Sequence, residues 1–111
     1  MTSQDHWNIV CRTADILPNT GVCALLDDRH IAIFRLGSDD YHALDNIDPR
    51  SGASVLSRGL VGNLGTRIVV ASPLYKNHFD LNTGECLETP AHSVRVYPVK
   101  IEDDKVLVAI S

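Results

Sequence analysis

The stretch Ile68-Val69-Val70-Ala71-Ser72-Pro73-Leu74-Tyr75-Lys76-Asn77-His78-Phe79-Asp80-Leu81-Asn82-Thr83-Gly84-Glu85 decides which kind of fold this chain adopts. It opens on β-branched side chains, which suit a pleated, half-buried surface better than a helix. A proline-containing loop interrupts the run. His78-Phe79-Asp80-Leu81 and Glu85-Cys86-Leu87 then flank Asn82-Thr83-Gly84. That tripeptide is a hairpin signal, because Gly84 can take the positive φ that a tight turn needs.

The same texture extends in both directions. Helical periodicity is nearly absent, and short apolar runs alternate with Gly, Pro, Asn and Asp clusters. Strands are predicted at 8–11, 15–17, 22–26, 29–35, 41–46, 67–71, 78–81, 85–87, 94–101 and 105–110. Asp27-Asp28 serves as a two-residue hairpin connection, and Pro98 marks an edge or a bulge. Within 94–101, Val94, Val96 and Pro98 face one side, and Arg95 and Tyr97 the other. Residues 47–65 read as a long irregular stretch. The expectation is an all-β, antiparallel sandwich of about nine or ten short strands. One domain is expected over residues 1–111, with 47–83 as a sub-lobe of different texture.

Composition narrows the function. The chain has 111 residues and a mass of 12.2 kDa, with 44% hydrophobic and 22% charged residues. Surface scaling gives a folded accessible area of roughly 6,000 Å², enough burial for a core without staples. A net charge of −4 and a pI near 5.6 provide no electrostatic footprint for nucleic acid or an anionic membrane. No apolar run reaches the ~18 residues of a membrane span. The polar, acidic opening Met1-Thr2-Ser3-Gln4-Asp5-His6-Trp7 does not have the form of a signal peptide. Cys11, Cys23 and Cys86 are scattered, without a Cys-x-x-Cys pair, which fits free thiols in a reducing cytosol.

Two segments are read jointly. One is Ala43-Leu44-Asp45-Asn46-Ile47-Asp48-Pro49-Arg50-Ser51-Gly52-Ala53, continued by Val55-Leu56-Ser57-Arg58-Gly59-Leu60-Val61-Gly62. The other is the stretch quoted first. Together they resemble a Rieske-type ferredoxin domain. In that family one strand delivers Cys-Pro-His-x-Gly, a second delivers Cys-Pro-x-His, and a Phe-Asp-x-x-Thr-Gly hairpin closes the lobe. A Rieske [2Fe–2S] centre needs two thiolates on one iron and two imidazoles on the other. At the matching positions this chain has Asp48, Arg50, Ser72 and Tyr75. A lone carboxylate or a hydroxyl does not replace thiolate sulfur, and Arg50 adds a permanent cation. The resemblance therefore implies a retained scaffold with vestigial ligand positions, and 47–83 as the lobe that once held a cluster.

A more extended resemblance runs through His6-Trp7-x-x-Val10-Cys11, Asp15-Ile16-Leu17-Pro18-x-Thr20-Gly21-Val22-Cys23-Ala24-Leu25-Leu26, Ile31-Ala32-Ile33-Phe34-Arg35 and Ser54-Val55-Leu56-Ser57-Arg58-Gly59-Leu60. With Val70-Ala71-Ser72-Pro73-Leu74, these stretches are similar to the small subunits of bacterial assimilatory NAD(P)H-dependent nitrite reductase. The resemblance implies a cytoplasmic oxidoreductase reducing nitrite to ammonium in nitrate assimilation. It places FAD, siroheme and a [4Fe–4S] cluster in the large subunit and no cofactor, metal or catalytic residue in this chain. Two alternatives remain open: an electron carrier with unusual ligands, and a stand-alone binding or regulatory module.

Other residue patterns have simpler readings. His78, Cys86 and His92 match no usual zinc spacing, and packing across one hairpin explains the first two. Cys23 and Cys11 read as small buried hydrophobes. Ser51, Ser54, Ser57 and Ser72 lie in turn-rich sequence, and no Gly-x-Ser-x-Gly elbow is present. Gly59, Gly62 and Gly65 lack a following helix and a P-loop lysine, so they read as turn glycines. Glu102-Asp103-Asp104 is a solvated turn. If the two ligand loops meet at one tip, they present Pro49, Arg50, Leu74, Tyr75 and Lys76 together as a partner interface. Arg and Tyr suit such a role, combining contact area with directional bonding. The simpler alternative is an ordinary exposed loop pair with Arg50 stacked on Tyr75.

Overall fold

The structure is a computed structural model that describes residues 6–110, with the backbone alone at His6. The polar opening read above as unlike a signal peptide lies, over residues 1–5, outside the described residues. Among the described residues, ten strands form three antiparallel sheets. They are β1 (His6–Arg12), β2 (Thr20–Leu26), β3 (Arg29–Leu36), β4 (Asp40–Asp45) and β5 (Leu60–Leu64), followed by β6 (Arg67–Ala71), β7 (His78–Asp80), β8 (Val96–Tyr97), β9 (Val99–Glu102) and β10 (Lys105–Ile110). The sheet orders are β1-β10-β9, β2-β3-β4-β8 and β5-β6-β7. Among the described residues no helix is long and apolar enough to cross a membrane.

The sheet β2-β3-β4-β8 is the middle layer, and β3 shows why. Its residues Ile31, Ala32, Ile33 and Phe34 are all fully buried, although side chains alternate across a strand. Ile31 and Ile33 join one core with Ala43, Tyr97, Val106, Val108 and Ile110. Ala32, Phe34 and Leu36 join a second with Leu56, Val70, Phe79, Leu81 and Val94. A strand covered on both faces is a continuous apolar run rather than an alternating one. The predicted alternation holds over 94–97, where Val94 and Val96 pack on the second core and Tyr97 on the first, whereas Pro98 is exposed and joins neither.

Turn chemistry places the loops. Asp27 and Asp28 have φ of 48° and 65°, the pair of positive values that a two-residue type I′ connection needs. Asp103 and Asp104, at 51° and 63°, repeat the device between β9 and β10. In the lobe, Asp80 Oδ1 accepts from the Asn82 and Thr83 amides at 2.7 and 3.1 Å, and Gly84 turns at φ 80°. A Cβ on Gly84 would lie 2.0 Å from the Val94 carbonyl oxygen, so this position requires glycine twice over.

Several sequence expectations change. Residues 60–64, placed in an irregular stretch, form β5, paired from Leu60↔Ala71 to Leu64↔Arg67. They were missed because Gly62 and Asn63 dilute the apolar pattern. The strand predicted at 15–17 is absent: Thr13–Asp15 is a 3-10 turn, and Ile16 is a buried plug beyond it. Residues 85–87 reduce to one bridge, Phe79↔Cys86. Pro98 divides 94–101 into β8 and β9, because proline has no N–H to carry a ladder across. Cys23 is exposed, since β2 is the edge of its sheet. Of the three glycines, Gly65 (φ 63°) sits in a turn and Gly62 is in mid-strand. Gly59 enters β5 where a Cβ would stand 2.3 Å from the Ala71 carbonyl oxygen.

Candidate functional site

The loops after β4 and β6 meet, and the residues that join them are polar and buried. Asp48 is 0% and Ser72 1% exposed. The Ser72 hydroxyl donates to Asp48 Oδ2 at 2.7 Å, linking residues far apart in sequence. Asp48 Oδ1 accepts from the Arg50 amide at 2.9 Å and from Asn77 Nδ2 at 3.3 Å. Burial alone would raise the Asp48 carboxyl's pKa. The Ser72, Arg50 and Asn77 hydrogen bonds and the Arg50 charge outweigh it and hold the group below the usual carboxylate range. The group is therefore an anion at neutral pH.

Each loop is also closed on itself. The Asp48 carbonyl accepts from the Ser51 and Gly52 amides, and the Asp48 amide donates to Ala53 O at 2.8 Å. In the other loop Ser72 N donates to Asn77 O at 2.9 Å and Lys76 N to Ser72 O at 3.0 Å. Lys76 adopts φ 60° there, the left-handed region that glycine occupies more easily. Behind the first loop, buried Asn46 donates from Nδ2 to Ser54 Oγ at 2.7 Å and accepts the Ser57 amide at Oδ1. Its carbonyl takes the Val55 and Leu56 amides, so one side chain and one peptide set the course of the chain into β5.

The proposed interface residues occupy more than one surface. The Arg50 guanidinium carbon lies 4.6 Å from the Tyr75 ring centroid, an outward-facing cation–π stack. Leu74 and Tyr75 are 51% and 52% exposed. Pro49 lines a separate open depression with Ile47, Arg29 and Tyr97. Lys76 lines another, with Arg58 and Leu60. The loops therefore bring Asp48 to Ser72 and Arg50 to Tyr75, while Pro49 and Lys76 face different neighbours.

The donor set can be tested against the cluster that a Rieske-type scaffold implies. The positions that the resemblance pairs with the ligands hold a carboxylate engaged by three donors, a guanidinium stacked on a phenol, and a hydroxyl committed to the carboxylate. No thiolate or imidazole stands among them, and the residues do not fit a [2Fe–2S] group. His78, one of the weighed metal candidates, has its Nδ1 2.6 Å from Glu88 Oε2, and its amide donates to Oε1 at 2.7 Å. Cys86 is buried in the core opposite Phe79.

Sequence reasoning missed three contributors: Asn46, Asn77 and Glu88. Asn77 is buried, and its Oδ1 has no hydrogen-bond partner among the described residues. A buried asparagine is indistinguishable in sequence from a loop asparagine. The available signal was its spacing of five from Ser72, which closes the loop.

Comparison with known proteins completes the assignment. A family model for the Rieske-like [2Fe–2S] domain matches residues 6–109. The nitrite reductase (NADH) small subunit of Escherichia coli K12 is 48% identical over 99 residues, covering 88% of this chain and 92% of that protein. The NMR structure of E. coli NirD superposes with a TM-score of 0.91 at 44% identity, covering 97% of this chain and 99% of that one. A nitrite reductase [NAD(P)H] large subunit of Klebsiella oxytoca is 44% identical over 102 residues, 92% of this chain but 11% of that polypeptide. The chain belongs to the nitrite reductase small-subunit family, built on the Rieske-like domain.

Proposed function

We propose that this chain is the accessory subunit of a cytoplasmic NAD(P)H-dependent nitrite reductase that converts nitrite to ammonium. It acts by associating with a large subunit that carries FAD, siroheme and a [4Fe–4S] cluster, and it carries no iron–sulfur cluster and no catalytic residue of its own. The observation that carries this reading is the buried Asp48–Ser72 hydrogen bond, which ties the loops together with the Arg50–Tyr75 stack outermost. Residues 1–111 act as one domain, and 47–83 as a lobe whose former ligand positions Asp48, Arg50, Ser72 and Tyr75 now serve shape. Arg50, Leu74 and Tyr75 form the centre of the contact surface, with Pro49 and Lys76 at its margins on separate depressions. The Klebsiella polypeptide supports the association, because there a segment similar to this chain is part of the large-subunit polypeptide itself.

Co-purification with the cognate large subunit, and NADH-dependent nitrite reduction with and without this chain, tests the proposal. Tyr75→Ala and Arg50→Ala should each weaken association by about 2 kcal/mol and leave the isolated fold nearly as stable. Glu102→Ala, in the distant acidic turn, should do neither. Wild-type binding by both loop variants would move the contact surface elsewhere.

A further inference from the structure

Leu60 is 79% exposed, more than any other large hydrophobic side chain among the described residues. It opens β5, which pairs with β6 on one side and, among the described residues, has no strand on the other. Such edges are usually guarded by charge or proline. Residues 60–64 (Leu-Val-Gly-Asn-Leu) contain neither. Between Leu60 and the loop pair lies a depression of about 190 Å³, lined by Arg58, Gly59, Leu60, Pro73 and Lys76. Because a side chain at Gly59 would strike the Ala71 carbonyl, the floor stays backbone. Leu74 and Tyr75, both exposed, lie in the same loop between Pro73 and Lys76.

Beside the β5 edge the charge has one sign, whereas the separate depression at Pro49 holds Asp28 and Asp45 along with Arg29 and Arg95. Segments 46–66 and 71–77 contain three exposed cations, Arg50, Arg58 and Lys76, against one carboxylate, the buried Asp48, in a chain of net charge −4. Arg58 and Lys76 have no ion-pair partner among the described residues. At the far end of β3 and β4, Asp39, Asp40, Glu102, Asp103 and Asp104 gather around the turns.

We propose that the docking surface extends from the loop pair onto the β5 edge, and that its partner is an acidic rim around an apolar centre on the large subunit. The proposal rests on the accessory-subunit reading and names the chemistry of its partner. A second copy of this chain is a poor occupant, since a twofold contact would set Arg58 and Lys76 against their own like charges. An uncharged strand edge and an exposed leucine supply the apolar contact, and the two flanking cations supply steering.

Association kinetics of the full chain with the cognate large subunit, at about 50 mM and 500 mM salt, test this. Arg58→Glu and Lys76→Glu should each slow association about tenfold at low salt, with the difference closing at high salt. Lys105→Glu, an equal charge change at the opposite end, should stay within about twofold of wild type. Leu60→Ser should speed dissociation about tenfold with no loss of stability in the isolated chain. Equal effects of the three charge reversals, an association rate indifferent to salt, or self-association lost in Leu60→Ser would overturn the proposal. If Tyr75→Ala still weakens binding in that case, the loop-tip reading survives and this extension alone fails. If Tyr75→Ala also binds as wild type, both fail.

Discussion

At the scale of single residues, the unusual object is a fully buried carboxylate with no cation in hydrogen-bond contact. Asp48 is tolerated because three donors converge on it, and removing it leaves those donors in a space from which water is largely excluded. Asp48→Ala should destabilise the fold by about 3 kcal/mol, and Ser72→Ala by about 1.5 kcal/mol. The double variant should lose at least about 1 kcal/mol less than the sum, since both remove the same bond. Urea unfolding of the four proteins measures this. The pH dependence follows from the lowered pKa: below the unfolded value of about 3.9, the unfolded chain takes up the proton before the folded one does. The contribution is therefore complete above that pH and is lost as pH falls through the folded value. Glu88, also held below its ordinary value despite some burial, through hydrogen bonds from His78, contributes with the same sign. A comparison of wild type with Asp48→Asn between pH 3 and 7 isolates the Asp48 share, and equal acid sensitivity would remove it from the account.

At the scale of the element, the Ser72–Asn77 loop spends backbone conformation to place a charge. Lys76 at φ 60° sits where a glycine would rest without strain, the left-handed region disfavouring a side chain by roughly 1 kcal/mol. Lys76→Gly should therefore stabilise the isolated chain slightly, by up to about 1 kcal/mol, while weakening association. A change in which stability and binding move in opposite directions separates a loop shaped for contact from one shaped for folding. The Asp80–Gly84 hairpin shows the contrary case. Gly84→Ala should cost more than about 3 kcal/mol, because the added methyl meets the Val94 carbonyl and φ is positive as well. Thermal melting of both variants compares the two kinds of positive φ directly.

At the scale of the whole molecule, stability comes from two apolar cores that share the central sheet. The accessible surface of 6210 Å² agrees with the scaling estimate of roughly 6,000 Å² for a chain of this mass. Cys11, Cys23 and Cys86 are unpaired, and among the described residues no cluster of His, Cys, Asp or Glu could hold a metal ion. The isolated chain should therefore unfold in one cooperative transition, unchanged by a chelator or a thiol reductant. A shift of more than a few degrees with either reagent would reveal a metal or a disulfide in the folded state.

The sequence alone determined the all-β, antiparallel character, the three tight turns built on Asp27-Asp28, Asn82-Thr83-Gly84 and Asp103-Asp104, and the kinship with Rieske-type domains. These are local matters: β-branching, a residue's tolerance of positive φ, and a hairpin motif act over a few neighbours and need no distant partner. The tertiary structure decided what the altered ligand positions do. Asp48 and Ser72 read in sequence as losses, but across 24 residues they meet in a buried hydrogen bond. It also decided that 60–64 is a strand, because its weak apolar pattern is completed by pairing with Arg67–Ala71. Which of Pro49, Arg50, Leu74, Tyr75 and Lys76 share a surface was likewise invisible, since exposure and side-chain direction arise only once two loops from different sheets are brought together.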